Sequence, residues 1–228
     1  MSPEPAVAGV LEATPTMPRR SWRRCGPREE PYDVKAGDLV FRAGNRHEMS
    51  VAISCGQLVR ADTRSYARWN HVMLVLDAAG RTAHATGTGL FEGELSALRD
   101  QSYALVRFEC SDEDRAQIVA YAEEMLRRHP TWGWLTAASQ LFSLLTGSRV
   151  VFGKLGTITC SGFAAEALLR AGAIFIRPAA LMSPADLAKE CGLPGVIRAG
   201  DVPDAVRRVY PAVRRAGLRL AAGGSARR

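Results

Sequence analysis

Two short apolar strands and the turn between them constrain the fold of this chain more than any other feature. The segments 71-HVMLVL-76 and 81-RTAHAT-86 are joined by 77-DAAG-80, in which the aspartate and the glycine favour a turn. If the last residue of the first strand pairs with the first residue of the second, His84 lies opposite Met73. The pattern therefore predicts an antiparallel β-hairpin.

The register of this hairpin brings two histidines together. Because side chains alternate along a strand, His71 and His84 share a face as diagonal neighbours, with Cα atoms about 7–8 Å apart and within hydrogen-bonding reach. A shift of one residue would send them to opposite faces. A lone histidine on a strand is usually structural, but two in register indicate a site. His47, in a polar run, and His129, at a helix end, are interpreted as structural.

A cysteine stands where an apolar helix is expected to begin, in 157-TITCSGFAAEALLRAG-172. At helical spacing, Cys160 falls on the same apolar face of the helix as several alanine and leucine residues. Its thiol should therefore face the element that this helix packs against. The free N–H groups and the dipole of a helix N-terminus favour a thiolate. Burial of the cysteine as a small apolar residue is the alternative interpretation.

Packing of this helix on the sheet that carries the histidines would assemble a nucleophile, a base and an orienting group from Cys160, His71 and His84. The helix dipole and a neighbouring imidazolium would then hold the pKa of the thiol well below its free value of about 8.5. The backbone N–H groups of Ser161 and Gly162 would lie near the sulfur and stabilise an oxyanion. These five residues are the candidate site.

The rest of the pattern predicts an α+β fold in which a small antiparallel sheet packs against helices. Residues 1–34 are expected to form a disordered leader, residues 35–200 a single folded domain, and residues 201–228 a basic, arginine-rich tail. Further strands are predicted at 39–42 and 103–108, and helices at 48–68, 112–128, 160–171 and from residue 183.

Charge and cysteine usage argue against several classes of protein. The chain has 228 residues and a formal net charge of +7, and residues 201–228 carry seven arginines against two aspartates. No nucleic-acid motif accompanies this charge, so specific nucleic-acid binding is not expected and the tail is interpreted as solvated, with peripheral contact with a membrane as the alternative. Five scattered cysteines without a C-x-x-C pair indicate neither a disulfide framework nor a zinc ribbon. The absence of a secretory signal or membrane span predicts a cytoplasmic protein.

Three motifs resemble the NlpC-type papain-fold cysteine peptidases. C-S-G-F at 160–163 resembles the start of their catalytic helix, AGDLVF at 36–41 resembles a strand entry, and NHVMLVLDAAGRTAHA at 70–85 resembles their strand pair. Here both histidines precede the cysteine, which is the order found in the YiiX-like and lecithin retinol acyltransferase-like branches. The resemblance therefore implies a circularly permuted papain-like fold.

The resemblance also implies roles, with Cys160 as the nucleophile, His71 as the base and His84 as the group that orients it. It implies a cysteine hydrolase that cleaves an amide or peptide bond in a peptide-like substrate through an acyl-enzyme, without a cofactor. Hydrolysis or transfer of acyl groups on lipids is the alternative on the same fold, served by the basic tail and by the uncharged stretch 130–148, interpreted as a wall of the cleft. Two further possibilities are a non-catalytic binding module and a zinc site made by the cysteine and the two histidines.

Overall fold

A six-stranded antiparallel sheet forms the centre of the fold in the computed structural model, which describes residues 18–29, 33–43, 48–60, 62–130, 158–195 and 211. Across the sheet the order is β1-β6-β2-β3-β4-β5, which makes β1 and β5 the edges. The strands are β1 (Arg20–Cys25), β2 (Leu39–Ala43), β3 (Trp69–Val75), β4 (Arg81–Thr86), β5 (Gly89–Glu94) and β6 (Tyr103–Phe108).

Four helices are described, and together with the sheet they confirm the predicted α+β class. They are α1 (Glu48–Val59), α2 (Asp112–Arg128), α3 (Cys160–Leu169) and α4 (Pro184–Glu190). Serines at positions 111 and 183 begin α2 and α4 with capping boxes, which satisfy backbone N–H groups that the first helical turn leaves free. None of the described helices is long and apolar enough to cross a membrane.

The predicted register of the β3–β4 hairpin is confirmed. Leu74 pairs with Ala83 and Val75 with Thr82, and the N–H of Leu76 donates to the carbonyl of Arg81 over 2.7 Å. This is the register that a four-residue turn imposes. His71 and His84 therefore fall on the same face of the sheet, as the alternation of side chains requires.

The two faces of the sheet are covered by separate hydrophobic clusters. The larger cluster joins Val72 and Leu74 of β3 to Phe163 and Ala164 of α3, and it also includes residues of α2 and α4. The smaller cluster, on the other face, contains Met73 and residues of β1, β2 and β6. Burial of apolar side chains at about 1.5–3 kcal/mol each holds α3 against the middle of the sheet.

A buried carboxylate fixes the turn that leads into β2. Asp38 has no exposed surface and accepts a hydrogen bond from the backbone N–H of Lys35 over 3.0 Å. The guanidinium of Arg107 lies 2.9 Å from it and that of Arg115 lies 3.5 Å away. Gly37 precedes it at φ +84°, a backbone conformation that suits glycine. The aspartate of the AGDLVF motif is thus a structural anchor.

Several predicted boundaries are wrong, mostly because the two edge strands of the sheet are polar. Residues 20–25, assigned to a disordered leader over 1–34, form β1 and pair with β6, although five of the six side chains are exposed. The second edge strand, β5, was not predicted because it contains two glycines and exposed glutamates. The helix predicted at 48–68 ends at Val59. The stretch 131–148 and, apart from residue 211, the tail 201–228 lie outside the described residues.

Candidate active site

The two histidines contact each other directly. The Nε2 atom of His71 lies 3.1 Å from the Nδ1 atom of His84, and the two rings are nearly perpendicular, with an interplanar angle of 88°. One nitrogen donates and the other accepts in such a pair. Since Nε2 of His71 is used in this contact, Nδ1 is the ring nitrogen that remains for proton exchange. The diagonal contact predicted from the sequence is therefore present.

The local sequence explains why the cysteine begins α3. Thr159 is the N-cap residue in an extended conformation, and its side-chain oxygen accepts a hydrogen bond from the backbone N–H of Gly162 over 3.2 Å. The helix then runs through Leu169 and the chain reverses at Gly172, where φ is +74°. Cys160 occupies the first helical position and is 6% exposed.

The thiol of Cys160 lies where the pairing between β3 and β4 ends. The N–H of Val75 donates to the carbonyl of Asp38, just before β2. Because successive N–H groups of a strand point to opposite neighbours, those of even-numbered residues such as Val72 point toward β4. Pairing with β4 begins only at Leu74, and the N–H of Val72 interacts with the Cys160 thiol instead. The start of α3 therefore reaches the sheet beside the residue that follows His71.

Of the two backbone N–H groups predicted to stabilise an oxyanion, one is already hydrogen-bonded within the helix cap. The N–H of Gly162 donates to the Thr159 hydroxyl and is thus engaged by the cap of α3, so its expected role toward an oxyanion stays a prediction. The N–H groups of Ser161 and of Cys160 itself are directed at the sulfur. The Ser161 hydroxyl donates to the carbonyl of Met182 over 2.5 Å and thereby fixes the first turn of α3.

An arginine that the motifs did not point to completes the site. Arg42 of β2 pairs directly with His71 of β3, so their side chains share a face of the sheet. The charge of Arg42 acts on both histidines and on the Cys160 thiol. The sequence signal that could have identified Arg42 is a charged residue at the end of the apolar run 39-LVF-41.

Burial determines the protonation states of the site. It raises the pKa of the Cys160 thiol, and the surrounding N–H groups and Arg42 offset this only in part. Burial, followed by the charge of Arg42 and the neighbouring His84, lowers the pKa of His71 to about 3. Burial and Arg42 also lower the pKa of His84. These directions disfavour the expected ion pair with a low thiol pKa and favour a neutral thiol and neutral imidazoles in the resting site.

Buried polar side chains fix the start of β3 behind the histidines. The Gln57 amide of α1 donates to the carbonyl of Trp69 over 3.1 Å and accepts from the N–H of Ala185 in α4 over 2.8 Å. The Asn70 amide donates to the Ser54 hydroxyl over 3.3 Å. These contacts tie β3 to two helices immediately before His71.

The arrangement provides a thiol, a pair of hydrogen-bonded imidazoles and a cation on neighbouring elements. In the described ranges, no group of three His, Cys, Asp or Glu side chains is placed to hold a metal ion. Comparison with protein-family models, with curated proteins and with solved structures gives no match for this chain.

Proposed function

We propose that this protein is a cysteine hydrolase that cleaves an amide or peptide bond, with Cys160 as the nucleophile, His71 as the general base and His84 as the residue that positions His71. The observation that supports this most directly is the 3.1 Å contact between the two histidines next to a helix that begins with a cysteine. The order of the motifs and the α+β sheet are also consistent with a circularly permuted papain-like fold, which is part of the proposal.

The roles follow from the available ring nitrogens. Donation from Nε2 of His71 to Nδ1 of His84 leaves Nδ1 of His71 as an acceptor. This nitrogen takes the thiol proton while the sulfur of Cys160 bonds to the substrate carbonyl carbon. Collapse of the tetrahedral intermediate breaks the carbon–nitrogen bond, and the leaving amine takes the proton from His71. Water then attacks the thioester, gives a proton to His71, and releases the acid and the thiol.

Proton transfer accompanies attack in this scheme, because the resting thiol and imidazole are both neutral. A preformed ion pair would place an imidazolium beside Arg42, and that charge disfavours it. The N–H groups of Cys160 and Ser161 are the donors available to the developing oxyanion. Hydrogen bonds of catalytic groups commonly tighten when substrate binds, and the proposed mechanism requires such a contact between the thiol and Nδ1 of His71.

Hydrolysis of matched fluorogenic substrates tests the proposal. A panel of short acyl-peptide amides and the corresponding esters and thioesters is assayed with the wild type, Cys160→Ala and His71→Ala. We expect amide cleavage by the wild type and a loss of at least about 10²-fold in each variant. Cys110→Ala is the matched control, since that cysteine is a half-buried thiol outside the site.

Two results would contradict this function. Equal cleavage by the wild type and Cys160→Ala would show that the thiol is not the nucleophile. Cleavage of long-chain acyl esters without cleavage of any amide would assign the site to acyl-lipid chemistry instead. Trapping of a covalent acyl group on Cys160, read by mass spectrometry of the intact protein, identifies the intermediate independently of turnover.

A further inference from the structure

Arg42 is a half-buried cation that has no carboxylate partner among the described residues. Its Nε atom is buried and makes no hydrogen bond within that part of the chain. Its electrostatic neighbours there are the Cys160 thiol and two histidines, none of which carries a negative charge in the resting site.

Two other arginines with little exposed surface are paired with carboxylates in this structure. The side chains of Arg60 and Arg115 are 13% and 12% exposed, and each lies next to a buried carboxylate, at Asp186 and Asp38 respectively. Burial of an ion without a partner costs several kcal/mol, so proteins normally pair such groups. A guanidinium that interacts with the Cys160 thiol and has no carboxylate partner among the described residues can therefore receive a carboxylate from a bound ligand.

We propose that Arg42 binds a carboxylate of the substrate, so that the preferred substrates are acyl compounds with a carboxylate close to the scissile carbonyl. This inference rests on the proposed function and specifies its substrate class. A guanidinium presents its N–H donors in a planar fork that matches both oxygens of a carboxylate. Arg42 lies directly across the β2–β3 ladder from His71 and its charge acts on the Cys160 thiol, so a carboxylate held there lies close to both groups.

Alkylation of Cys160 by iodoacetate and by iodoacetamide tests this without requiring turnover. Both reagents react with the thiolate and differ in that one carries a carboxylate where the other carries a neutral amide. The ratio of their rates therefore cancels the fraction of thiolate and reports the preference of the site for an anion. The rates are read by mass spectrometry of the Cys160 peptide, with the urea-unfolded protein as the reference thiol.

We expect the iodoacetate-to-iodoacetamide ratio in the folded wild type to exceed that of the unfolded protein by about tenfold, the effect of one charge-assisted hydrogen bond. In Arg42→Gln the ratio falls to the unfolded value, whereas Arg42→Lys keeps a raised ratio because the charge remains. Arg24→Gln is the control, since this arginine is exposed on the edge strand β1. In the wild type, added propionate should slow iodoacetate and leave iodoacetamide unaffected.

The outcomes separate this inference from the proposed function. A ratio that is the same in wild type, Arg42→Gln and unfolded protein would overturn the carboxylate site, as would a wild-type Cys160 that neither reagent reaches. A raised ratio that depends on Arg42, together with no cleavage of any substrate in the panel, would retain the anion site and reject the hydrolase. Cleavage at the same rate with and without a carboxylate in the substrate would retain the hydrolase and reject the anion site.

Discussion

Nε2 of His71 lies 3.1 Å from Nδ1 of His84, on neighbouring strands whose backbone pairing ends at Leu74 and Ala83. The contact assigns one nitrogen of His71 to a partner and leaves the other for chemistry. The charge of Arg42 acts on both imidazoles, of which that of His71 is buried and that of His84 half-buried. The proposed activity, the protonation of the site and the stability of the fold in acid should therefore all depend on these side chains.

Substitution of His84 tests whether it positions His71. We expect His84→Ala to reduce kcat/KM by roughly ten- to a hundredfold, a smaller loss than in His71→Ala, for which general-base catalysis predicts about 10²–10⁴-fold. His84→Gln should recover part of the loss, because an amide oxygen can also accept from Nε2 of His71. Equal losses in His84→Ala and His84→Gln, each as large as in His71→Ala, would contradict a positioning role.

The pH dependence of Cys160 alkylation measures the protonation of the resting site. Because burial raises the thiol pKa, we expect the rate with iodoacetamide to increase only above the free-thiol value of about 8.5. In Arg42→Gln the apparent pKa should increase further, since the positive charge favours the thiolate. Rapid labelling that persists below pH 7 would reveal a preformed ion pair and refute the neutral resting state.

Acid should destabilise the fold through the buried histidines. The folded pKa of His71, about 3, is lower than the ordinary value of 6.5. The unfolded state therefore binds more protons, and stability falls as the pH decreases below 6.5. This histidine contributes a slope of up to about 1.4 kcal/mol per pH unit until the folded pKa is approached.

Urea unfolding at pH 7 and pH 5 provides the measurement. His71→Gln should lose less stability between the two pH values than the wild type does. His129→Asn is the control, because His129 is exposed at the end of α2 and has a positive φ that asparagine tolerates. An identical pH dependence in the wild type and His71→Gln would show that His71 is not buried in its neutral form.

Removal of the Asp38 carboxylate should destabilise the fold strongly. Asp38→Ala leaves Arg107 and Arg115 without their shared buried partner, and breaking such a pair costs about 3–5 kcal/mol. Asp100→Ala removes an ion pair whose two side chains are 83% exposed, and it should change the free energy of unfolding by less than about 1 kcal/mol. Similar losses in the two variants would contradict the anchoring role of Asp38.

Gly162 tests how closely the cap of α3 controls the cysteine. A Cβ atom at this position would lie 2.9 Å from the Thr159 hydroxyl oxygen, so Gly162→Ala must displace the cap or the first turn. We expect a loss of about 1 kcal/mol, typical of a lost N-cap, with a loss of catalysis. Gly87→Ala is the matched control, since a Cβ atom at that position would meet nothing within 4 Å. Unchanged activity in Gly162→Ala would show that the thiol position does not depend on this cap.

Much of the fold could be predicted from local patterns. The alternation in β3 and β4 and the length of their turn determined the register, and that register determined the contact between His71 and His84. Helix signals placed the start of α2 at residue 112 and the start of α3 at Cys160. Edge strands were missed because β1 and β5 have exposed, polar residues and do not show the alternation that a half-buried strand requires.

The sequence by itself determined which residues share a strand face and which residue begins α3, because these properties depend on neighbours along the chain. The burial of the thiol, its pKa and the position of Arg42 opposite His71 were decided only by the tertiary structure. A helix dipole can be anticipated from a sequence, but the loss of water around a group depends on every element that packs against it. At Cys160 that desolvation outweighs the dipole and reverses the expected direction of the pKa shift.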